Sequence, residues 1–207
     1  MAGELIAEHV MVKTSLGDEI EAYYARPMGD GPFPGVVVIH HMPGWDEWTH
    51  EVVRKLAHNG YAAISPHLYH RHSTGDWSDA AARGRSAGGM VDAEVMADVD
   101  GSAEYLRAQP EANGRVGTIG FCSGGRHVVL AAAQLDGINA SVDCWGGGVI
   151  PTERFGISEQ RPVAPIDLTA ELKSPILGIF GNDDTMPPPE DVDKHEEELK
   201  KHGKAYE

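Results

Sequence analysis

The feature that most constrains the fold is the stretch GRVGTIGFCSGGRHVVLAAA, residues 114–133. Its first half is apolar and partly β-branched, which predicts a buried strand, and its second half predicts a helix. Cys122 lies alone between them, with Gly120 and Gly124 two residues away on either side. Glycines at this spacing relieve the crowding of a sharp turn that lifts one side chain above the edge of a sheet. The pattern therefore predicts a strand-turn-helix unit with Cys122 at its tip.

A turn of this kind is suited to a nucleophile. It directs the backbone N–H of Ser123 towards the negative charge that develops on the oxygen of an attacked carbonyl group. The N-terminal end of the following helix favours a thiolate at Cys122. The alternative is a small structural cysteine in a glycine-rich turn, because free cysteine is among the most buried residue types. The position between a strand and a helix favours the nucleophile.

The rest of the chain alternates between strand and helix patterns. Alternating residues at 9–13 and 20–25 predict a hairpin. The run VVVIHH is apolar on both faces, which is typical of a parallel strand covered by helices. Further strands are predicted at YAAIS, at Ile138 to Cys144 and at SPILGIFG, and helices at about Glu47 to Asn59, Asp92 to Arg107 and residues 187–203. The alternation predicts one domain over residues 1–207 with a mostly parallel α/β sheet flanked by helices.

Two segments have no pattern that we can interpret. No helix is predicted within 67–91, and 146–172 is read as a loop. His67, His70 and His72 lie close together in the first segment, but no acidic or cysteine partner accompanies them. Zinc requires three or four fixed ligands, so a hydrogen-bonded loop is favoured over a metal site. We predict no metal and no cofactor.

Composition limits the partners and the compartment. Lys and Arg number 17 and Asp and Glu number 32, for a formal net charge of −15. Nucleic acids and anionic membranes require a basic surface, so neither is expected as a partner. The N-terminus has no signal-peptide pattern and no run approaches a membrane span. With only Cys122 and Cys144 present, we predict a cytoplasmic protein with free thiols rather than a disulfide.

Two loops carry further candidates for the site. GIFGNDDTMP follows a predicted strand, and Asp183 and Asp184 both qualify by spacing as the acid that orients a catalytic histidine. An ordinary Asx-rich turn is the alternative. The loop HHMPGWDEW follows another strand, at the place where this architecture puts a second oxyanion donor, for which Met42 is the candidate. The candidate walls of a substrate pocket are His41, Trp45 and Trp145, although the two tryptophans also suit a core.

These pieces together resemble the dienelactone hydrolase family of α/β-hydrolases over nearly the whole chain. The stretches that carry the resemblance, in the order found in the family, are GVVVIHHMPGWDEW, GYAAISPHLYHR, NGRVGTIGFCSGG and ILGIFGNDDTMPP. The resemblance implies an α/β-hydrolase fold and a Cys–His–Asp triad that acts on small esters or lactones. By matching position it implies Cys122 as the nucleophile, Asp183 as the acid, and Ser123 and Met42 as oxyanion donors.

The sequence departs from the family pattern at two places. His41 stands where the best-known members carry a glutamate that holds the resting thiol, and Arg83 and Arg85 only roughly match the family's carboxylate-binding region. The triad histidine of the family follows one more helix and strand. Here KAYE reads as the opening of that strand, while His195 and His202 lie on the preceding helix and are predicted to face solvent. We therefore expect the histidine, the rest of the last strand and a final helix to lie beyond Glu207, which leaves the domain incomplete.

Two other functions remain open from the residues. A non-catalytic α/β-hydrolase-like protein would use the pocket for binding without the chemistry, as the missing histidine permits. A thiol redox protein is less favoured, because the sequence has no C-x-x-C motif and only Cys144 as a resolving partner.

Overall fold

The computed structural model describes residues 4–72, 75–153 and 155–207. Its strands are β1 (Leu5–Lys13), β2 (Glu19–Pro27), β3 (Phe33–Ile39), β4 (Ala62–Pro66), β5 (Ala112–Phe121), β6 (Ile138–Cys144) and β7 (Ile176–Ile179). Its α-helices are α1 (Glu47–His58), α2 (Trp77–Ser86), α3 (Asp92–Arg107), α4 (Ser123–Gln134) and α5 (Pro189–Lys201), and 3₁₀ helices span His70–His72 and Pro165–Glu171. The sheet order is β1-β2-β4-β3-β5-β6-β7. β4, β3, β5, β6 and β7 are parallel to one another. At the other edge, β2 pairs antiparallel with both β1 and β4. The predicted mostly parallel α/β sheet is confirmed.

The sheet is covered on both faces, which explains the continuous apolar runs. In β3, Val37 and Ile39 pack in the cluster that contains α3 and α4, whereas Val38 packs against α1 on the other face. Side chains of a strand alternate between faces, so burial of both faces demands an apolar residue at every position. The β1–β2 hairpin forms as predicted and is longer than predicted, with pairs from Leu5↔Pro27 to Lys13↔Glu19.

Helix α2 lies within the segment for which no helix was predicted. Asp76 caps it and accepts hydrogen bonds from the N–H groups of Ser78 and Asp79. Its buried face consists of Ala80, Ala81 and Gly84. These small residues give little hydrophobic contrast between faces, so the helical period is weak in the sequence. The 3₁₀ helix Pro165–Glu171 likewise interrupts the predicted loop 146–172.

The prediction that His195 faces solvent is wrong. His195 is buried on α5, and it lies three residues after Val192 and four before Leu199, on one face of the helix. That spacing places it against β7 with the two apolar side chains. His202 is exposed, as predicted.

The end of the chain lies beside β7. Tyr206 forms a parallel bridge with Ile176, and the N–H of Gly178 donates to the carbonyl of Glu207 at 2.9 Å. The segment KAYE is thus paired with the sheet edge, as expected for the start of a strand. Within the described ranges, no helix has the length and apolar character needed to cross a membrane.

Candidate active site

Cys122 occupies a strained turn at the carboxyl end of β5. Its backbone angles are φ 55° and ψ −117°, in a region that residues other than glycine rarely adopt. It lies directly before the first residue of α4, and its N–H donates to the carbonyl of Cys144 on β6 at 3.0 Å. The neighbouring strand therefore holds the turn in place, and the Cys122 side chain is half-buried.

Gly120 and Gly124 are required by close backbone contacts. A Cβ on Gly120 would lie 2.2 Å from the carbonyl oxygen of Gly124. A Cβ on Gly124 would lie 2.1 Å from the carbonyl oxygen of Ile39, at the end of β3. The start of α4 is consequently pressed against both β5 and β3. This contact brings the loop after β3 next to the cysteine turn.

Met42 and Ser123, the two predicted oxyanion donors, line one cavity of about 40 Å³ beside the turn. The Met42 loop is held by other side chains. The Tyr69 hydroxyl donates to the Met42 carbonyl at 3.1 Å, and Arg85 donates to the carbonyl of Pro43 at 3.1 Å. Arg85 thus supports this loop, whereas Arg83 pairs with Asp79 at the surface. We call this space the elbow cavity.

A buried ion pair forms one wall of the elbow cavity. The guanidinium of Arg126 on α4 contacts both carboxylate oxygens of Asp92 at 2.6 and 2.9 Å, and it also donates to the Val163 carbonyl. Burial opposes ionisation of Asp92, but His127 and Arg126 outweigh this effect and hold its pKa below the usual value. Sequence reasoning missed this pair, although a charged residue inside the apolar helix RHVVLAAA signals a buried partner.

Arg161 is a second arginine of the elbow cavity. Its Nη1 donates to the Gly88 carbonyl at 3.5 Å, which is a long contact. Its Nε is buried and has no hydrogen-bond partner among the described residues. The only side-chain hydrogen bond that the described residues give this guanidinium is therefore a long one, and nothing in the sequence of the surrounding loop indicated this.

The structure separates the two acids after β7. The Asp184 carboxylate accepts a hydrogen bond from the Met186 N–H at 2.9 Å, so it stabilises the turn. The Asp183 side chain is exposed and has no hydrogen-bond or ion-pair partner among the described residues. Asp183 is therefore the acid that remains available to another side chain.

His41 and Trp145 lie at the two ends of an aromatic row. His41 stacks on Trp48 at 5.3 Å, Trp48 meets Phe121 edge-on at 4.8 Å, and Phe121 contacts Trp145 at 5.6 Å. His41 Nε2 is 2.8 Å from a carboxylate oxygen of Asp46. Because Phe121 precedes Cys122, the row passes beside the cysteine turn.

The three predicted pocket walls, His41, Trp45 and Trp145, are not among the residues that line the elbow cavity. Trp45 lies in the core against α1, which was the alternative for this residue. It is 3% exposed, and its indole N–H donates to the Ser65 carbonyl. It stacks on His67 with ring centroids 4.9 Å apart. Within the described part of the chain, no group of three His, Cys, Asp or Glu side chains is placed to hold a metal.

The sheet order and the cysteine turn after β5, with an acid after β7, define an α/β-hydrolase fold. The sequence profile described as Dienelactone hydrolase family matches residues 20–207, and the chain belongs to that family of hydrolases. A protein of Salmonella typhimurium assigned as a carboxymethylenebutenolidase is 36% identical over 191 residues, which cover 90% of this chain and 68% of that protein.

Two further comparisons agree with this assignment. A Bradyrhizobium protein assigned as a 2-oxo-3-(5-oxofuran-2-ylidene)propanoate lactonase is 29% identical over 208 residues, which cover 100% of this chain and 82% of that protein. The crystal structure of a Klebsiella pneumoniae protein assigned as a dienelactone hydrolase superimposes with a TM-score of 0.85 at 30% identity. That match covers 99% of this chain and 84% of the other.

Proposed function

We propose that the protein hydrolyses small carboxylic esters or lactones through a Cys–His–Asp triad, with Cys122 as the nucleophile and Asp183 as the acid. The observation that carries the proposal is the strained position of Cys122 at the start of α4. Strain at a non-glycine residue persists where the surrounding structure enforces it, and it is common at catalytic sites. Cys144, in contrast, is 3% exposed, and burial together with Asp143 raises the pKa of its thiol to about 11.

The reaction has two steps. The histidine takes the proton of the Cys122 thiol, the thiolate attacks the carbonyl carbon, and the N–H groups of Ser123 and Met42 hold the resulting oxyanion. The C–O bond breaks as the histidine protonates the leaving oxygen, which leaves an acyl-thioester on Cys122. The same histidine then takes a proton from water, whose oxygen attacks the thioester and releases the acid and the thiolate.

The base is, in this proposal, a histidine carried by the chain after Glu207. Two observations support this placement. Asp183 is exposed and without a partner in the described ranges, as an acid awaiting its histidine would be. The segment at Tyr206 pairs in parallel beside β7, so a chain that continued past Glu207 in the same direction would extend along this sheet edge. His41, which Asp46 already binds, is the competing candidate.

The substrate that we favour carries a carboxylate near the scissile bond. Arg161 supports this choice, because it lines the elbow cavity together with Ser123, and its one side-chain hydrogen bond in the described structure is long. Charged hydrogen bonds to a guanidinium select planar anions. The name of the Bradyrhizobium relative also describes a lactone that bears a carboxylate.

Hydrolysis of p-nitrophenyl acetate tests the proposal. The 207-residue chain is compared with a chain continued to the end of its gene, each as wild type, Cys122→Ala and the matched control Cys144→Ala. We expect sustained turnover only in the longer chain, lost in Cys122→Ala and retained in Cys144→Ala. The shorter chain should acetylate Cys122 once, which intact mass would detect.

Two results would contradict the assignment at different points. Turnover that survives Cys122→Ala would exclude the nucleophile. Sustained turnover by the 207-residue chain that depends on Cys122 would place the base within it, and His41→Gln would then be the next variant. If neither chain forms an acyl-enzyme but both bind esters, the protein is the non-catalytic binder.

A further inference from the structure

His40 is a buried histidine that the triad described above does not use. It directly follows β3 and is 0% exposed. A buried polar ring is costly unless its nitrogens are hydrogen-bonded, because it has lost its contacts with water. The partners of the two nitrogens therefore indicate what the ring holds in place.

Both ring nitrogens of His40 have a backbone partner. Nδ1 lies 2.8 Å from the carbonyl oxygen of His41, and Nε2 lies 3.3 Å from the backbone nitrogen of Leu68. A carbonyl oxygen only accepts and a backbone N–H only donates, so Nδ1 carries the proton and Nε2 accepts. Burial lowers the pKa of His40 to about 3, although the hydrogen bond to His41 opposes this effect. The imidazole is therefore neutral, and one tautomer satisfies both nitrogens.

The hydrogen bond from His40 acts on the peptide unit that carries the Met42 N–H. The carbonyl of His41 and the N–H of Met42 belong to the same peptide unit, which is trans. In a planar trans unit these two groups point in opposite directions. His40 therefore keeps the carbonyl towards the buried ring and the N–H away from it. The Met42 N–H has no acceptor among the described residues, so it is available to a developing oxyanion.

Further contacts limit rotation on either side of this peptide unit. The N–H of Gly44 also donates to the His41 carbonyl, at 3.2 Å. The next carbonyl, that of Met42, accepts from the Tyr69 hydroxyl at 3.1 Å. The contact from His40 Nδ1 is the shortest of the three. It is also the one contact that comes from a side chain to the His41 carbonyl in the described part of the chain.

The same peptide unit lies next to the cysteine turn. A Cβ on Gly124, in the first turn of α4, would lie 2.9 Å from the carbonyl oxygen of His40. Met42 lines the elbow cavity together with Ser123, the other proposed oxyanion donor. The orientation of the His41–Met42 peptide unit is thus fixed beside the place where the oxyanion would form.

We propose that His40 is a positioning residue, which acts through the His41 carbonyl and holds the Met42 N–H in the direction that stabilises the oxyanion. The inference rests on the proposed ester or lactone hydrolysis and adds a residue to it. A donor that is fixed before the substrate binds needs no reorganisation during the reaction, so it stabilises the oxyanion more than a mobile donor does. The alternative is that the ring only joins the loop to the segment at Leu68.

Two substitutions separate the roles of the two nitrogens. In His40→Asn, the amide nitrogen occupies the position of Nδ1 and can donate to the His41 carbonyl, while Leu68 loses its acceptor. In His40→Gln, the amide oxygen reaches the position of Nε2 and can accept from Leu68, while the His41 carbonyl loses its donor. Each variant removes the ring and leaves one backbone group without its partner, so their losses of stability should be similar. Each is the matched control of the other.

Hydrolysis of p-nitrophenyl acetate by the chain continued to the end of its gene is the kinetic test. Loss of one oxyanion donor lowers kcat about 10²- to 10³-fold, so a misdirected donor in His40→Gln should lower it about 10- to 100-fold. Acylation and deacylation both pass through an oxyanion and slow together, so KM should change less than about twofold. His40→Asn should keep kcat within about threefold of the wild type, because the Met42 N–H stays in place.

The direction of the Met42 N–H can be measured without activity. Its residual dipolar coupling in a weakly aligned sample should be the same in the wild type and His40→Asn. It should differ in His40→Gln, while the amides of α4 keep their couplings. Long-range ¹⁵N–¹H spectra of the wild type report the His40 tautomer, which we expect to be Nδ1–H from pH 5 to pH 8. If His40→Gln does not fold, this spectrum and the kinetics of His40→Asn still decide.

Three results would overturn the inference. They are equal losses of kcat in the two variants, an unchanged Met42 coupling in His40→Gln, and an Nε2–H tautomer of His40 in the wild type. A wild type without turnover would instead contradict the proposed hydrolysis. The dipolar couplings would then still decide whether His40 orients the Met42 N–H.

Discussion

Two buried carboxyl groups next to α4 differ in their surroundings. Asp92 faces the Arg126 guanidinium with two short contacts, and its pKa is held low. Asp143, at the end of β6 and against Gly125, has no cationic side chain beside it among the described residues, and burial raises its pKa to about 7. Both carboxyl groups are buried, so burial alone does not set their ionisation. The presence or absence of a cation within hydrogen-bonding distance does.

This contrast separates a structural acid from an available one. The Asp92–Arg126 pair joins α4 to the segment around Val163 and so shapes the wall beside Ser123. The Asp143 carboxylate forms no side-chain pair among the described residues, although it is the more deeply buried of the two. A buried group whose interactions are complete stabilises the fold, whereas one with unused capacity indicates either a ligand or a cost that function justifies.

The largest effect is expected from Asp92→Asn. The change leaves the Arg126 guanidinium buried without its counter-charge, which typically lowers the free energy of unfolding by about 3–5 kcal/mol. Urea unfolding at pH 7 measures the loss. The control is Glu51→Gln, which breaks an exposed pair with Lys55 and should cost less than about 1 kcal/mol. Equal effects of the two variants would contradict the structural role of the buried pair.

In contrast to Asp92→Asn, Asp143→Asn is expected to raise the free energy of unfolding relative to the wild type, and the difference should grow as pH rises. The pKa of Asp143 is about 7 in the folded protein and close to 3.8 when unfolded. The folded state therefore binds a proton that the unfolded state has released, and this stability is lost as pH rises from about 4 through 7. Each pKa unit corresponds to about 1.4 kcal/mol, so the free energy of unfolding of the wild type falls by up to about 4 kcal/mol relative to that of the variant.

Urea unfolding of both proteins between pH 5 and pH 8 measures this difference. The curves should diverge in favour of Asp143→Asn up to about pH 8. The matched control Asp136→Asn removes an exposed acid, and its curve should stay parallel to that of the wild type. Parallel curves for Asp143→Asn would mean that the carboxyl group has a partner in solution.

The fold was predictable from local patterns, whereas the surroundings of the buried charged side chains were not. The strands around VVVIHH and SPILGIFG and the turn at Cys122 are indicated by apolar runs and glycine spacing within a few residues. Helix α2 was missed because Ala80, Ala81 and Gly84 give little contrast between its faces. The solvent-facing prediction for His195 is wrong because His195 shares a face of α5 with Val192, three residues before it, and Leu199, four residues after it.

The surroundings of the buried charged groups depend on contacts between distant segments. Asp143 meets Gly125 of α4, and Arg161 meets Gly88, seventy-three residues earlier in the chain. No periodicity in one segment records such a meeting. The cysteine and the two acids could be named from the sequence. Coordinates were required to find, among the described residues, the unpaired carboxylate of Asp143 and the unpaired Nε of Arg161.

Arg161→Met is expected to change specificity more than stability. A charged hydrogen bond to a substrate carboxylate contributes about 1.5–3 kcal/mol, so kcat/KM for 4-nitrophenyl hydrogen succinate should fall about 10- to 100-fold. For 4-nitrophenyl butyrate, which has no carboxylate, it should change little. Arg83→Met is the control, because Arg83 pairs with Asp79 at the surface. Equal losses on both esters would mean that Arg161 only supports the cavity wall.

The smallest change in stability separates the two neighbouring acids after β7. Asp184→Asn weakens one turn hydrogen bond, to the Met186 N–H, and should lower the free energy of unfolding by about 1 kcal/mol with part of the activity retained. Asp183→Asn, at an exposed side chain without a partner in the described structure, should change stability by less than about 0.5 kcal/mol. It should nevertheless abolish most esterase turnover, because the triad histidine loses its orienting acid. If the activity loss follows Asp184 instead, the acid of the triad is reassigned, and the exposed Asp183 becomes an ordinary turn residue like the Asx turns that follow many strands.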